Sequence, residues 1–187
     1  MIYLSKGILP WRPSETTVSV SYCGALHKLN GVQAALWLNG QHKPGYTENP
    51  EQDAALQLLS ELGIAECGDG ADDATIFRLL TNCSICPVRV KTNISFLNPL
   101  ERRLWRWITR AGLRLTMAEL VYLVERDVLP APELLGEANR QSLTEAIYTT
   151  ETIYDGILEG RMERSPARDK AVLAILGLLR KQKIFLI

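Results

Sequence analysis

Cys83-Ser84-Ile85-Cys86 is a spacing that could ligate a metal or exchange a disulfide. Two thiolates separated by two residues supply half of a tetrahedral zinc shell, and the other half would have to come from Cys23 and Cys67. Nothing in the spacing requires the four to meet. His27, four residues after Cys23, and His42 fit no ligand pattern. A thioredoxin-type role needs the motif to open a helix, whereas Pro87-Val88-Arg89-Val90 reads as extended. Reduced thiols in a cytosolic chain are the simplest reading. No metal and no cofactor is therefore expected, with Cys23, Cys67, Cys83 and Cys86 as the set that would gather round zinc if any did. Nucleophilic catalysis has little to build on. There are 2 histidines and no Gly-x-Ser-x-Gly. Gly68 and Gly70 sit among acids instead of preceding Lys-Ser or Lys-Thr, and Asp69, Asp72 and Asp73 do not follow the calcium-loop pattern. A non-enzyme is expected.

The remaining chemistry is cationic. Arg102, Arg103, Arg106 and Arg110 fall on one side of a helix whose other side carries Leu104, Trp107, Ile108 and Ala111. A second group, Arg164, Arg168, Lys170 and Lys181, flanks the apolar run 171–179. These eight are the candidate DNA-contacting residues, suited to phosphates by charge. Solvated helix faces and ends explain them as well. Charge supports a partner of this kind only mildly: the chain is neutral overall, with a net −4 up to Pro87 and +4 beyond.

The elements that would position these groups show an internal repeat. Leu29-Asn30 and Leu36-Trp37 enclose five residues, as do Leu97-Asn98 and Leu104-Trp105. Asn reads as a helix N-cap in both. Asn49-Pro50, with Asp53 and Ala55, is matched by Ser165-Pro166, with Asp169 and Ala171, each a cap followed by proline at the first helical position. Each second helix leads into a strand-like stretch, 64–67 and 183–187. The order predicts two units, 1–90 and 91–187, the second with a helical insertion over 112–163. The first unit begins with strands at 2–5 and 16–22. After its second helix, the turn-rich 68–73 and the run 74–80 predict a hairpin. In the insertion, Thr116 and Glu119 form a capping box opening a helix to about Arg126. Pro130 and Pro132 then break the chain, and a further helix is expected over 137–158.

Helix, helix and hairpin in this order resemble the winged helix-turn-helix superfamily. Leu29-Asn30, Leu36-Trp37-Leu38 and Asn39-Gly40 are also similar to the first helix of PqqD-like modules, winged-helix domains that bind peptides. The expected fold is α+β and mostly helical: two winged-helix-like units, the first with a β-hairpin wing and N-terminal strands, the second with the insertion. The resemblance implies a regulator that contacts DNA through the C-terminal half. The first unit's own recognition helix, 50–62, has no Lys or Arg, and its wing carries Asp69, Asp72 and Asp73. A protein- or peptide-binding adaptor that has lost DNA contact is the alternative. The run 171–179, apolar all round, suggests burial on several sides or a face for a homodimer or other protein partner. No apolar run approaches the ~20 residues of a membrane span. The first six residues lack the basic-then-apolar order of a secretory signal, so a cytoplasmic location is expected.

Overall fold

The computed structural model describes residues 1–10, 17–70, 72–88, 94–149 and 155–187. Its first strand organises the rest. β1 (Ile2–Ser5) is buried along its whole length and pairs antiparallel with β4 (Gly45–Tyr46) on one side and β5 (Ala65–Gly68) on the other. Because strand side chains alternate, Tyr3 enters one core while Ile2 and Leu4 enter another. A four-residue strand thus serves two hydrophobic clusters.

Tyr3 belongs to the smaller cluster, with Val18, Leu29, Trp37, Leu56 and Ile64. These come from the hairpin β2 (Thr17–Tyr22) and β3 (Ala25–Asn30), from the helices α1 (Gly31–Gly40) and α2 (Pro50–Glu61), and, for Ile64, from the link between α2 and β5. The hairpin turns on two residues, Cys23 and Gly24, both with positive φ, which matches the right-handed twist of the strands. Trp37 is fully buried and its indole N–H donates to the Lys6 carbonyl at 3.0 Å, so its polar edge is satisfied. The Tyr3 ring occupies the gap between Gly40 and Gly45, where any Cβ would overlap it.

The larger cluster gathers Ile2 and Leu4 with α3 (Asp73–Thr81), α4 (Pro99–Arg110), α5 (Met117–Glu125), α8 (Arg168–Arg180) and the antiparallel pair β6 (Ile85–Pro87) and β7 (Ile184–Leu186). The expected division at residue 90 does not follow the cores, since α3 and β6 pack with the C-terminal helices. The fold is α+β with helix predominating. None of the described helices is long and apolar enough to cross a membrane.

The repeated helix starts are only partly alike. Asn49 accepts from Gln52 N at 3.0 Å, and Asn98 and Glu101 form a reciprocal box at 2.8 and 2.9 Å. Asn30 makes no side-chain cap; it ends β3 opposite Thr17, and the helix opens on Gly31 at positive φ. α8 starts late: the Ser165 hydroxyl accepts from Ala167 N at 3.0 Å in a turn, and Ala167 precedes the helix. The exits match better. α2 ends through Gly63 with Ile64 N on Leu59 O at 3.0 Å, and α8 through Gln182 with Lys183 N on Leu178 O at 2.9 Å, both turning residues having positive φ.

The hairpin wing after α2 is not formed. Residues 74–80 lie in α3, started by Asp72, which accepts from Thr75 N at 2.8 Å. Ile76, Phe77, Leu79 and Leu80 then share one buried face at helical spacing. β5 finds its partner in β1 instead. The capping box at Thr116 and Glu119 starts α5 as expected. The single helix expected over 137–158 divides into a short 3-10 turn at Glu137–Asn139, α6 (Arg140–Ile147) and α7 (Asp155–Met162). α6 stops where Tyr148 leaves helical geometry, ahead of the β-branched Thr149. Residues 150–154, position 16 of the expected first strand, position 71 of the expected wing and the extended stretch from Arg89 lie outside the described residues. In α8 every residue of 171–179 is buried within the chain except Leu173, 55% exposed. The apolar surface expected to meet a partner is largely consumed by α3, α4 and α5.

Candidate functional sites: the basic face of α4 and a cleft beside His42

The arginines of α4 divide by environment. Arg106 and Arg110 are exposed, while Arg102 and Arg103 are half-buried. Arg103 donates to Asp127 at 2.6 Å and to the Leu123 carbonyl at 2.7 Å, closing the end of α5. Arg102 donates to the Leu97 carbonyl at 3.1 Å. The Nε–H of each is buried and has no acceptor among the described residues. Arg102, Arg103 and Arg106 border one hollow of about 430 Å³, whose other lining is Pro99, Leu100, Leu129 and Pro130. Leu129 is 63% exposed there. This is a concave apolar surface with a cationic margin, of which Arg102 and Arg103 are held by the fold and Arg106 is exposed.

The second basic group does not extend this surface. Lys181 holds Glu101 at 2.7 and 2.5 Å. Glu101 is 4% exposed and lies against Gly177, so the pair is built into the α4–α8 contact. Arg168 donates to Asp169 and to the Glu163 carbonyl, each at 2.7 Å. Arg164 and Lys170 are exposed. Lys170 stands seven residues, about 10 Å of helix rise, from the Gly177 level where α4 begins. Of the eight candidate residues, Arg103, Arg168 and Lys181 are committed to internal ion pairs, and Arg102, Arg103 and Arg106 alone meet at one hollow.

The cysteines are dispersed. Cys23 is in the exposed hairpin turn, Cys67 in β5, and Cys83 and Cys86 are buried. Among the described residues no three His, Cys, Asp or Glu groups stand together as metal ligands. The Cys83 thiol donates to the Leu79 carbonyl at 3.1 Å, and burial pushes its pKa up to about 12. It is a structural thiol and not a nucleophile.

Two features had no sequence signal assigned to them. Lys6, 5% exposed, ties the end of β1 to Glu66 of β5 at 2.8 Å, and Asn82 after α3 reaches the same carboxylate at 3.4 Å. Burial alone would lower the Lys6 pKa, but the bond to Glu66 and its charge outweigh it and raise it. A lysine directly after a buried strand was the available clue. The other is a cleft of about 700 Å³ with Ile8, Leu9, His42, Val88 and Phe185 in its lining. His42 Nδ1 is buried and has no partner among the described residues, and burial lowers the ring's pKa. A depressed folded-state pKa means that the unfolded chain binds the proton first as pH falls. The stability held above pH 6.5 is therefore lost below it, until the lower folded value is reached. His42→Asn should flatten the fall in unfolding free energy between pH 7.5 and 5, measured by urea titration. An unchanged pH profile in the variant would refute this.

No protein-family model matches the chain, and no match is found among curated proteins or solved structures.

Proposed function

We propose that the protein is a non-enzymatic binding module that docks an acidic, leucine- or aromatic-bearing segment of a partner protein in the hollow of α4. The observation that carries this reading is the convergence of Arg102, Arg103 and Arg106 on an apolar concavity floored by Leu100 and Leu129. An anionic segment gains charge-assisted bonds at the margin, and its apolar side chains leave water in the centre. Arg103 is already ordered by Asp127 and Leu123, which lowers the entropy lost on binding.

DNA contact is the second reading. Its support is that Arg106, Arg110, Arg164 and Lys170 are exposed and have no ion-pair partner among the described residues. A concave site suits a duplex poorly, because phosphates and base edges are met by side chains that project.

One titration tests both. A fluorescent peptide alternating Asp or Glu with Leu and Phe is followed by anisotropy at low and moderate salt, beside a random duplex. Saturable peptide binding is expected, weakened about tenfold or more by Arg106→Glu. Arg106 is exposed, so the variant should keep its fold. Duplex binding without peptide binding, with a log–log salt slope near −4 from about four phosphates, would replace the first reading with the second. Failure of both ligands would remove the reading altogether.

A further inference from the structure

The helix α2 buries Leu56 and Leu59 in the smaller core and turns a second apolar stripe outward. Glu51, Ala54, Leu58, Glu61 and Leu62 fall on its opposite side at helical spacing, and all five are exposed. A single exposed leucine is ordinary, but Leu58 and Leu62 stand one turn apart at 48% and 45% exposure. Glu51 and Glu61 bracket Ala54 and Leu58. α2 contains no Lys or Arg, and neither glutamate has an ion-pair partner among the described residues. The face is apolar along its middle and anionic at its ends.

The hollow of α4 has the complementary pattern. Its apolar lining includes Leu100 and Leu129, with Arg102, Arg103 and Arg106 at the margin. Arg110 continues the exposed cationic row along the helix. At the rise of an α-helix, Glu51 and Glu61 are about 15 Å apart, and Arg102 and Arg110 about 12 Å apart. Two helices laid side by side thus bring an acid to each end of the arginine row while the leucines enter the hollow. The charge of the whole chain repeats this arrangement, −4 up to Pro87 and +4 beyond.

We propose that the segment received by the hollow of α4 is the outward face of α2 on a second copy of this chain. The inference rests on the reading of the hollow as a dock for acidic, leucine-bearing segments, and it names the segment. α2 belongs to the smaller core and α4 to the larger, so the face and the hollow are different surfaces. The contact is therefore heterologous: a copy engaged by its face still offers its hollow, and assembly runs head to tail. One helix face makes a small interface, so the association is weak, reversible and sensitive to salt.

Sedimentation of the full-length protein over about a hundredfold range of concentration, from about 5 µM upward, covers the regime of such contacts. The average mass should rise above that of the monomer and fall back on addition of salt. Leu58→Gln with Leu62→Gln damages only the face, and Arg106→Glu only the hollow; all three positions are exposed, and circular dichroism checks that the fold is kept. Each variant alone should need at least about tenfold more protein to associate. An equimolar mixture of the two should form a one-to-one pair near the parent's concentration and grow no further, since one intact face and one intact hollow remain. The acidic leucine- and phenylalanine-bearing peptide should disperse the parent's assemblies by filling the hollow. A parent that stays monomeric, association unchanged in either variant, or no recovery on mixing would overturn the proposal. Peptide binding by a monomeric parent would overturn self-docking alone and leave the reading of the hollow standing, whereas failure of the peptide and of self-association together would remove both.

Discussion

Lys181→Ala is expected to cost about 3 kcal/mol of stability, roughly twice the loss from Glu101→Ala. The asymmetry follows from exposure. Glu101 is 4% exposed, so removal of Lys181 strands a carboxylate between α4 and α8. The Lys181 side chain is 32% exposed, so its ammonium can turn to water when Glu101 is removed. That variant then loses mainly the capping box at Asn98, about 1–1.5 kcal/mol. Gly177 makes the arrangement testable at a third position. A Cβ there would collide with Glu101 Oε1 and stand 3.2 Å from Cδ. The carboxylate cannot swing clear while Lys181 and Asn98 N hold it. Gly177→Ala should therefore cost about 1–2 kcal/mol, strain outweighing the gain in helix propensity. In a Glu101→Ala background the obstruction is gone, and the same substitution should become neutral or stabilise by up to about 1 kcal/mol. Urea unfolding of the four proteins in the cycle reads this directly. An equal cost of Gly177→Ala in both backgrounds would show that the carboxylate does not define that contact.

That ion pair also shows what the sequence could and could not disclose. The periodicity of α4 correctly separates Leu104, Trp107 and Ile108, buried, from Arg106 and Arg110, exposed. It cannot show that Arg103 is held by a residue 24 positions away or Lys181 by one 80 positions away. Local signals fared best because local geometry creates them. Asn49, Asn98 and Thr116 cap the helices they precede, and the strands at 2–5, 17–22 and 184–186 are present. The run 74–80 reads as a strand from its sequence because Thr75 and Ile76 favour strands, while the decisive cap, Asp72, sits among other acids in a turn-rich stretch. β3 was missed because Cys23-Gly24 lacks the Asn-Gly or Asp-Gly signature of a two-residue turn. The cleft beside His42 joins four separate segments of chain, and no pattern within any one of them announces it.

The second large effect concerns the strand shared by both cores. Trp37→Ala should cost about 4 kcal/mol, by removing a fully buried indole and leaving a cavity. It also takes away the donor to the Lys6 carbonyl at the end of β1. The smaller core then holds Tyr3 less firmly, and Tyr3 cannot leave without drawing Ile2 and Leu4 from the larger core, because the three are consecutive in one strand. Loss of the N-terminal packing should therefore lower the stability of α4 and α8 as well. In a Trp11→Phe background, Trp37→Ala leaves Trp105 and Trp107, both on α4, as the fluorescent reporters. Their emission and the far-UV circular dichroism should change together in a single transition, at lower denaturant than in the parent. An early circular-dichroism loss followed by a separate fluorescence transition near the parent's midpoint would mean that the N-terminal core unfolds alone. The chain would then behave as two independent units divided between the two cores, after β5, and not at residue 90. Coincident transitions would instead make β1 the element through which the two cores unfold as one.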